Sequence, residues 1–219
     1  MERQSPEYID NYCERTGPEF WSEPINAVTN ASFVLAGIYM LWQIRHYRVA
    51  DAHIVLLTAL IVCIGIGSFL FHTFATGWAA LADVIPIMLF QLCYLYVYGR
   101  CFLKAGRAQA MIIPLGFIAV SYIIGLWPGD TLNGSIFYGA SVLFLTGVAI
   151  YHQYKQWTGK SLLIAASVLF LISLTFRTID EEICDIIPFG THFMWHILNG
   201  VVLFLLVQVL VNHKRQIKD

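Results

Sequence analysis

The chain has 219 residues, of which 58% are hydrophobic and 12% charged, with a formal net charge of −1. A water-soluble domain carries roughly twice that charged fraction, and a mean hydropathy of +0.67 leaves too little polar surface to coat a globule in water. The net charge says nothing about nucleic acid, but no basic stripe interleaved with aromatics appears, so no nucleic-acid partner is expected. The expected partner is membrane lipid, with no obligate protein partner.

Residues 1–25 read as an acidic tail carrying Glu2, Glu7, Asp10, Glu14, Glu19 and Glu23. A secretory leader starts basic and turns apolar, so the first apolar stretch is expected to be a retained span. A window of about 19 residues then gives seven apolar stretches. They lie near 26–45, 54–73, 79–99, 109–127, 134–152, 160–179 and 191–212. The third is interrupted by Asp83 and Pro86, and the sixth ends in Arg177, Thr178 and Asp180. Lipid cannot satisfy backbone polar groups, so each stretch is expected to be helical. The fold class is all-α: an integral seven-helix membrane bundle over 26–212, followed by a basic tail at 213–219.

Ten of the thirteen Lys and Arg residues fall after spans one, three, five and seven. Among them are Arg45, Arg100, Lys155 and Lys214; the remaining three are Arg3, Arg15 and Arg177. The side rich in Lys and Arg is cytoplasmic. The N-terminus is therefore expected outside, on a periplasmic, lumenal or extracellular face, with the C-terminus inside. The tail, Asp130 and the run Asp180, Glu181, Glu182, Asp185 then lie outside, as a solvated face or a cation site. Trp21, Trp78, Trp127 and Trp195 near the outer span ends read as an interfacial belt.

The histidines divide in two. His46, His53, His152 and His213 flank the basic loops and read as interfacial residues. His72 ends span two, and His192 and His196, four residues apart on one helix face, open span seven. Ser68 lies one turn from His72, and Asp83 one turn into span three from the same side. Five polar side chains on three spans thus share one depth. A single such His can be satisfied by a backbone carbonyl. Three with a carboxylate are a costly group to hold in lipid and point to function, and three imidazoles with an open fourth position are the ligand set of a catalytic zinc. Cys63, Cys93 and Cys101 read as small apolar or inner-end residues. Cys13 and Cys184 are both outside, where they could pair or stay free.

The run Gly67-Ser68-Phe69-Leu70-Phe71-His72, then Asp83, then His192-Phe193-Met194-Trp195-His196, resembles the alkaline ceramidases. These belong to a seven-span superfamily of metal-dependent hydrolases that also includes the adiponectin and progestin receptors. Tyr12-Cys13-Glu14, the segment from Glu23 to Asn30, and Asp180 with Cys184 four residues on resemble further family motifs. The resemblance implies zinc on His72, His192 and His196, Asp83 as the acid/base group, and Ser68 as a donor to the oxyanion. It implies a disulfide between Cys13 and Cys184. It also implies a calcium ion in the tail, on Asp10 or Asn11, the Tyr12 carbonyl, Glu14 and Glu23. The activity so implied is hydrolysis of ceramide or a similar long-chain lipid amide. Two alternatives remain at this point: a receptor-like protein with the same His and Asp set, and a transporter using it as a proton or metal path.

Overall fold

The computed structural model describes residues 8–49 and 51–218. Glu2, Arg3 and Glu7 of the tail lie outside the described residues. Among the described residues, seven helical segments are long and apolar enough to cross a membrane, with mean hydropathy from 1.3 to 2.7 in their most apolar windows.

Span one is two helices, α1 (Pro24–Thr29) and α2 (Ala31–His46), joined at Asn30. Pro24 opens α1, where its missing N–H and fixed φ cost nothing. Next come α3 (Ala52–Phe74) and α4 (Gly77–Cys101). Span four is a short α5 (Arg107–Ala110) continued by α6 (Ile112–Ile124). The last three spans are α7 (Gly139–Tyr154), preceded by a 3₁₀ turn at Ser135–Tyr138, α8 (Lys160–Thr178) and α9 (His192–Lys218). Pro86 does not interrupt its span, because α4 runs through it unbroken. The expected tail at 213–219 is largely a continuation of α9, which runs on to Lys218.

Helices α3 and α9 are the central ones. Half or more of their apolar windows is buried, 50% and 56%, against 17–33% for the others. α2 packs on both, α4 packs on α3, α8 on α9, and α6 and α7 close the remaining side. Leu35, Ile38, Ile66, Leu81 and Val84 point outward and exposed, as lipid-facing positions require.

At the end carrying most of the basic residues, Asp51 caps α3 by accepting from the His53 and Ile54 amides at 3.0 and 3.3 Å. Lys214 of α9 reaches the same carboxylate at 2.7 Å. Two expectations are corrected here. His152 is fully buried rather than interfacial. Its ring contacts the Tyr98 hydroxyl at 3.2 Å and the Thr158 carbonyl at 2.9 Å, which pins the end of α7 to α4 and to the following loop. At the other end, Trp21, Trp78 and Trp127 are exposed as a belt demands, but Trp195 is buried against Tyr138 and Phe170. Its position on the central helix α9 turns it into the core.

Candidate active site

The first link between sequence and site is a close approach of two helices. A Cβ on Gly67 would strike the backbone of Ala82, next to Asp83. Glycine lets α3 and α4 meet there, and the Ser68 hydroxyl comes within hydrogen-bonding reach of the Asp83 carboxylate. Asp83 is half-buried and also lies within electrostatic reach of His72 and Arg177.

His72, His192 and His196 are 1–2% exposed. Their ring nitrogens lie within 4.8 Å of one another, close enough to hold one metal ion. The neighbours of each ring fix which nitrogen faces inward. His72 Nδ1 lies 2.5 Å from Glu23 Oε2. An ionised carboxylate only accepts, so Nδ1 carries the proton and Nε2 keeps its lone pair. The hydroxyl of Thr29 spends its proton on the carbonyls of Ile25 and Asn26, at 2.8 and 3.0 Å. It therefore accepts from His196 Nδ1 at 3.0 Å. That leaves His196 Nε2 buried with no partner among the described residues, and His192 Nδ1 likewise. Each orphaned buried nitrogen costs roughly 1–3 kcal/mol, a cost that a bound cation removes. The donor set therefore fits a metal, and three imidazoles suit zinc.

Glu23, expected as a calcium ligand, does something else. Its Oε1 accepts from Arg15 Nε at 2.5 Å, and its Oε2 also accepts from Asn26 Nδ2 at 3.1 Å. Burial alone would raise the Glu23 carboxyl; the contacts with His72, Arg15 and Asn26 outweigh it and hold the group below the usual range. Glu14 has both oxygens on the backbone amides of Ile25 and Asn26, at 2.7 and 2.8 Å, so it serves the exposed amides at the start of α1. Burial pushes its carboxyl up, against the pull of those amides. The Tyr12 carbonyl accepts from the Arg15 amide at 3.1 Å, while Asp10 and Asn11 are exposed. The expected calcium set is thus not assembled, and calcium does not fit the side chains present.

Asp180 is fully buried, in contrast to the exposed Glu181, Glu182 and Asp185 beside it. Oδ1 accepts from the amides of Thr191 and His192 at 2.6 and 2.8 Å, and Oδ2 from Cys13 N at 3.1 Å. A carboxylate at the head of α9 satisfies its free amides and complements the helix dipole, so it fixes where His192 begins. Gly190 sits at φ +62°, and a Cβ there would collide with Asp180 and crowd Cys13. Cys13 and Cys184 form the expected disulfide, with their Cα atoms 5.3 Å apart.

Sequence reasoning missed four contributors. Tyr12 was read for its carbonyl, yet its ring stacks on His192 at 3.7 Å between centroids. Thr29 orients His196. Arg177 donates to the Asn133 carbonyl and the Ser135 hydroxyl and lies over the Tyr138 ring at 5.2 Å. Arg15 holds Glu23. Arg15 and Arg177 did carry a signal: with Arg3, they are the basic residues on the side where Lys and Arg are scarce.

An apolar cavity of about 90 Å³ lies deeper in the bundle. Its wall includes Ile64, Ile87 and Asn199, each three or four residues from Ser68, Asp83 or His196. It therefore starts about one helical turn from the polar cluster. It continues past Tyr94, Val148 and Leu206.

No curated protein matches the chain. A family model described as Ceramidase matches residues 9–218, which takes in every residue of the cluster. A chain matched over nearly its whole length, with three buried histidines grouped as a metal would need them, belongs to the Ceramidase family.

Proposed function

We propose that the protein is a zinc-dependent intramembrane amidase that hydrolyses ceramide, or a similar long-chain lipid amide, to a free fatty acid and a sphingoid-type amine. The observation that carries this reading is the apolar cavity starting one turn from the three imidazoles. Its wall is apolar enough for an acyl chain. Family membership supports a lipid substrate and amide chemistry.

His72, His192 and His196 would hold the zinc. When bound, the ion supplies Lewis acidity to a carbonyl and acidifies water. The chain's own groups do the rest. Asp83 takes a proton from the attacking water as the new C–O bond forms. It returns that proton to the departing nitrogen as the C–N bond breaks. Water and amide are consumed in equal number, giving one acid and one amine. Ser68 has a single hydroxyl proton. At rest it faces Asp83; during reaction it turns to the developing oxyanion. Arg177 lies within electrostatic reach of Asp83. The bundle wall excludes bulk water and takes the acyl chain in laterally from the bilayer.

The active site faces outside in this reading, because the cluster lies at the end opposite most of the Lys and Arg residues. A tag before Tyr8 should be reachable from outside in intact cells, and one after Lys218 only after permeabilisation. Reversed labelling would refute this orientation.

Purified protein should carry about one zinc per chain, and His72→Ala, His192→Ala and His196→Ala should each lose it together with amine release from ceramide. A chelator should abolish activity and added zinc restore it. Zinc-free protein with full activity would overturn the mechanism. Zinc-loaded protein that releases no amine from any long-chain amide would bring the receptor or transporter reading forward.

Asp83→Asn should keep zinc and lose about 10²–10⁴ in kcat, since an amide cannot take the proton. Ser68→Ala should cost about a hundredfold or less. Metal analysis beside kinetics checks both: zinc lost from Asp83→Asn would make Asp83 a ligand or an anchor of one.

Val148 lines the deeper part of the cavity. An indole at Val148 (Val148→Trp) should displace at least two methylenes of a long acyl chain. At about 0.8 kcal/mol each, that is about tenfold in kcat/KM on long-chain amides, with short-chain amides spared. Equal loss on both would place the acyl chain elsewhere.

A further inference from the structure

The calcium ion that the family resemblance implies has no vacancy to enter. Arg15 stands where a cation would bridge the tail to the bundle. Its residue is 4% exposed, and its side chain is fully covered. The guanidinium makes three directed contacts: Nε to Glu23 Oε1 at 2.5 Å, Nη1 to the Gly17 carbonyl at 2.9 Å, and Nη2 to the His72 carbonyl at 2.9 Å. All three acceptors are oxygens, as calcium would demand. Calcium, however, takes six to eight of them, and the remaining candidates are engaged or exposed. Glu14 serves the amides of Ile25 and Asn26. Glu23 Oε2 is shared by His72 and Asn26. Asp10 and Asn11 are exposed. The guanidinium already neutralises the carboxylate it binds, Glu23. A divalent ion would have to expel a buried guanidinium and strip two carboxylates of their partners.

The same contacts reach the metal site. Arg15 grips the backbone carbonyl of His72 and, through Glu23, the Nδ1 of the same residue. A carboxylate that receives a ring N–H sets the tautomer and raises the basicity of the other nitrogen, and loss of such a partner typically weakens metal binding by about 10–100-fold. We propose that Arg15 is the resident cation of this layer: a positioning residue that replaces calcium, fixes Glu23, and thereby presents His72 Nε2 to the metal. The inference rests on the zinc reading above. It makes the site independent of calcium, unlike the arrangement the resemblance implies.

Two measurements on the purified full-length protein, with its disulfide intact, test it. In the first, calcium chloride is titrated into wild-type protein up to about 10 mM, beyond the weakest extracellular calcium sites. Thermal unfolding and zinc affinity by chelator competition are followed, and neither should move. In the second, zinc affinity is compared among wild type, Arg15→Lys and Arg15→Gln. Arg15→Gln should bind zinc about 10–100-fold more weakly. Arg15→Lys, which keeps the charge beside Glu23, should recover most of the loss. A merely structural arginine would lower the unfolding temperature in both variants without this charge-dependent split in zinc affinity. A saturable rise in stability or zinc affinity with calcium would overturn the proposal. So would an Arg15→Gln variant that binds zinc as tightly as wild type, and in that case the hydrolase reading would stand. Wild-type protein with no zinc affinity would remove both. If Arg15→Gln fails to fold, the calcium titration on wild type decides alone.

Discussion

Glu23 is a carboxylate with almost no contact with solvent, and a carboxylate in that position must have its charge met from within the protein. Three side chains meet it: Arg15, His72 and Asn26. Each ties a different piece of chain to one point. Arg15 brings the N-terminal tail, Asn26 brings α1, and His72 brings the end of α3. The polar end of the bundle is organised around this charge. Removing a partner would leave a buried ion uncompensated, a defect that costs about 3–5 kcal/mol in typical cases. The arrangement is therefore cooperative. The tail cannot leave without exposing Glu23, and Glu23 cannot leave without freeing the ring of His72.

A second carboxylate repeats the device on the opposite wall. Asp180 collects the amides of Cys13, Thr191 and His192, and the disulfide closes the same corner. One end of the tail is thus held at α9 and the other at α1 and α3. Tyr12 lies between them with its ring on His192. The three imidazoles stand on two helices, but the tail supplies the contacts that orient two of those rings. A cover built this way shields the polar cluster from bulk water.

The seven spans were legible because lipid imposes one rule on every segment, long apolar runs with satisfied backbones, and no soluble core competes with it. Boundaries moved by a few residues where a local feature intervened, such as Asn30 dividing span one or the 3₁₀ turn before α7. His72, His192, His196, Asp83 and Ser68 were legible for the converse reason: polar side chains are rare at that depth and stand out. What stayed hidden was set by long-range folding of the tail. Nothing local to Glu23 says that its oxygens reach His72, 49 residues away. Arg15 read as one of three stray basic residues on the wrong side of the charge bias. The cavity was also invisible, because Ile87, Val148 and Leu206 look in sequence like any lipid-facing residue; their helices turn them inward.

The misreading of Trp195 and His152 has one cause. Depth along the sequence does not set exposure: a Trp near an outer end reads as interfacial, and a His near a basic loop likewise. Depth and azimuth are independent along a helix, however, and periodicity is weak where both faces are apolar, one toward lipid and one toward protein. Trp195 sits on the buried face of α9, next to His196 in sequence, and packs against Phe170 and Tyr138 above the cavity. It is one of the few residues that touch both levels of the protein, since its ring lines the apolar space while its backbone carbonyl receives Ser173 and Asn199. Asn199 in turn lines that space within one turn of His196. The polar layer therefore does not stop abruptly at the imidazoles. It is graded into the cavity through Asn199, whose amide stands between the imidazoles and the apolar wall that runs on toward Tyr94 and Leu206.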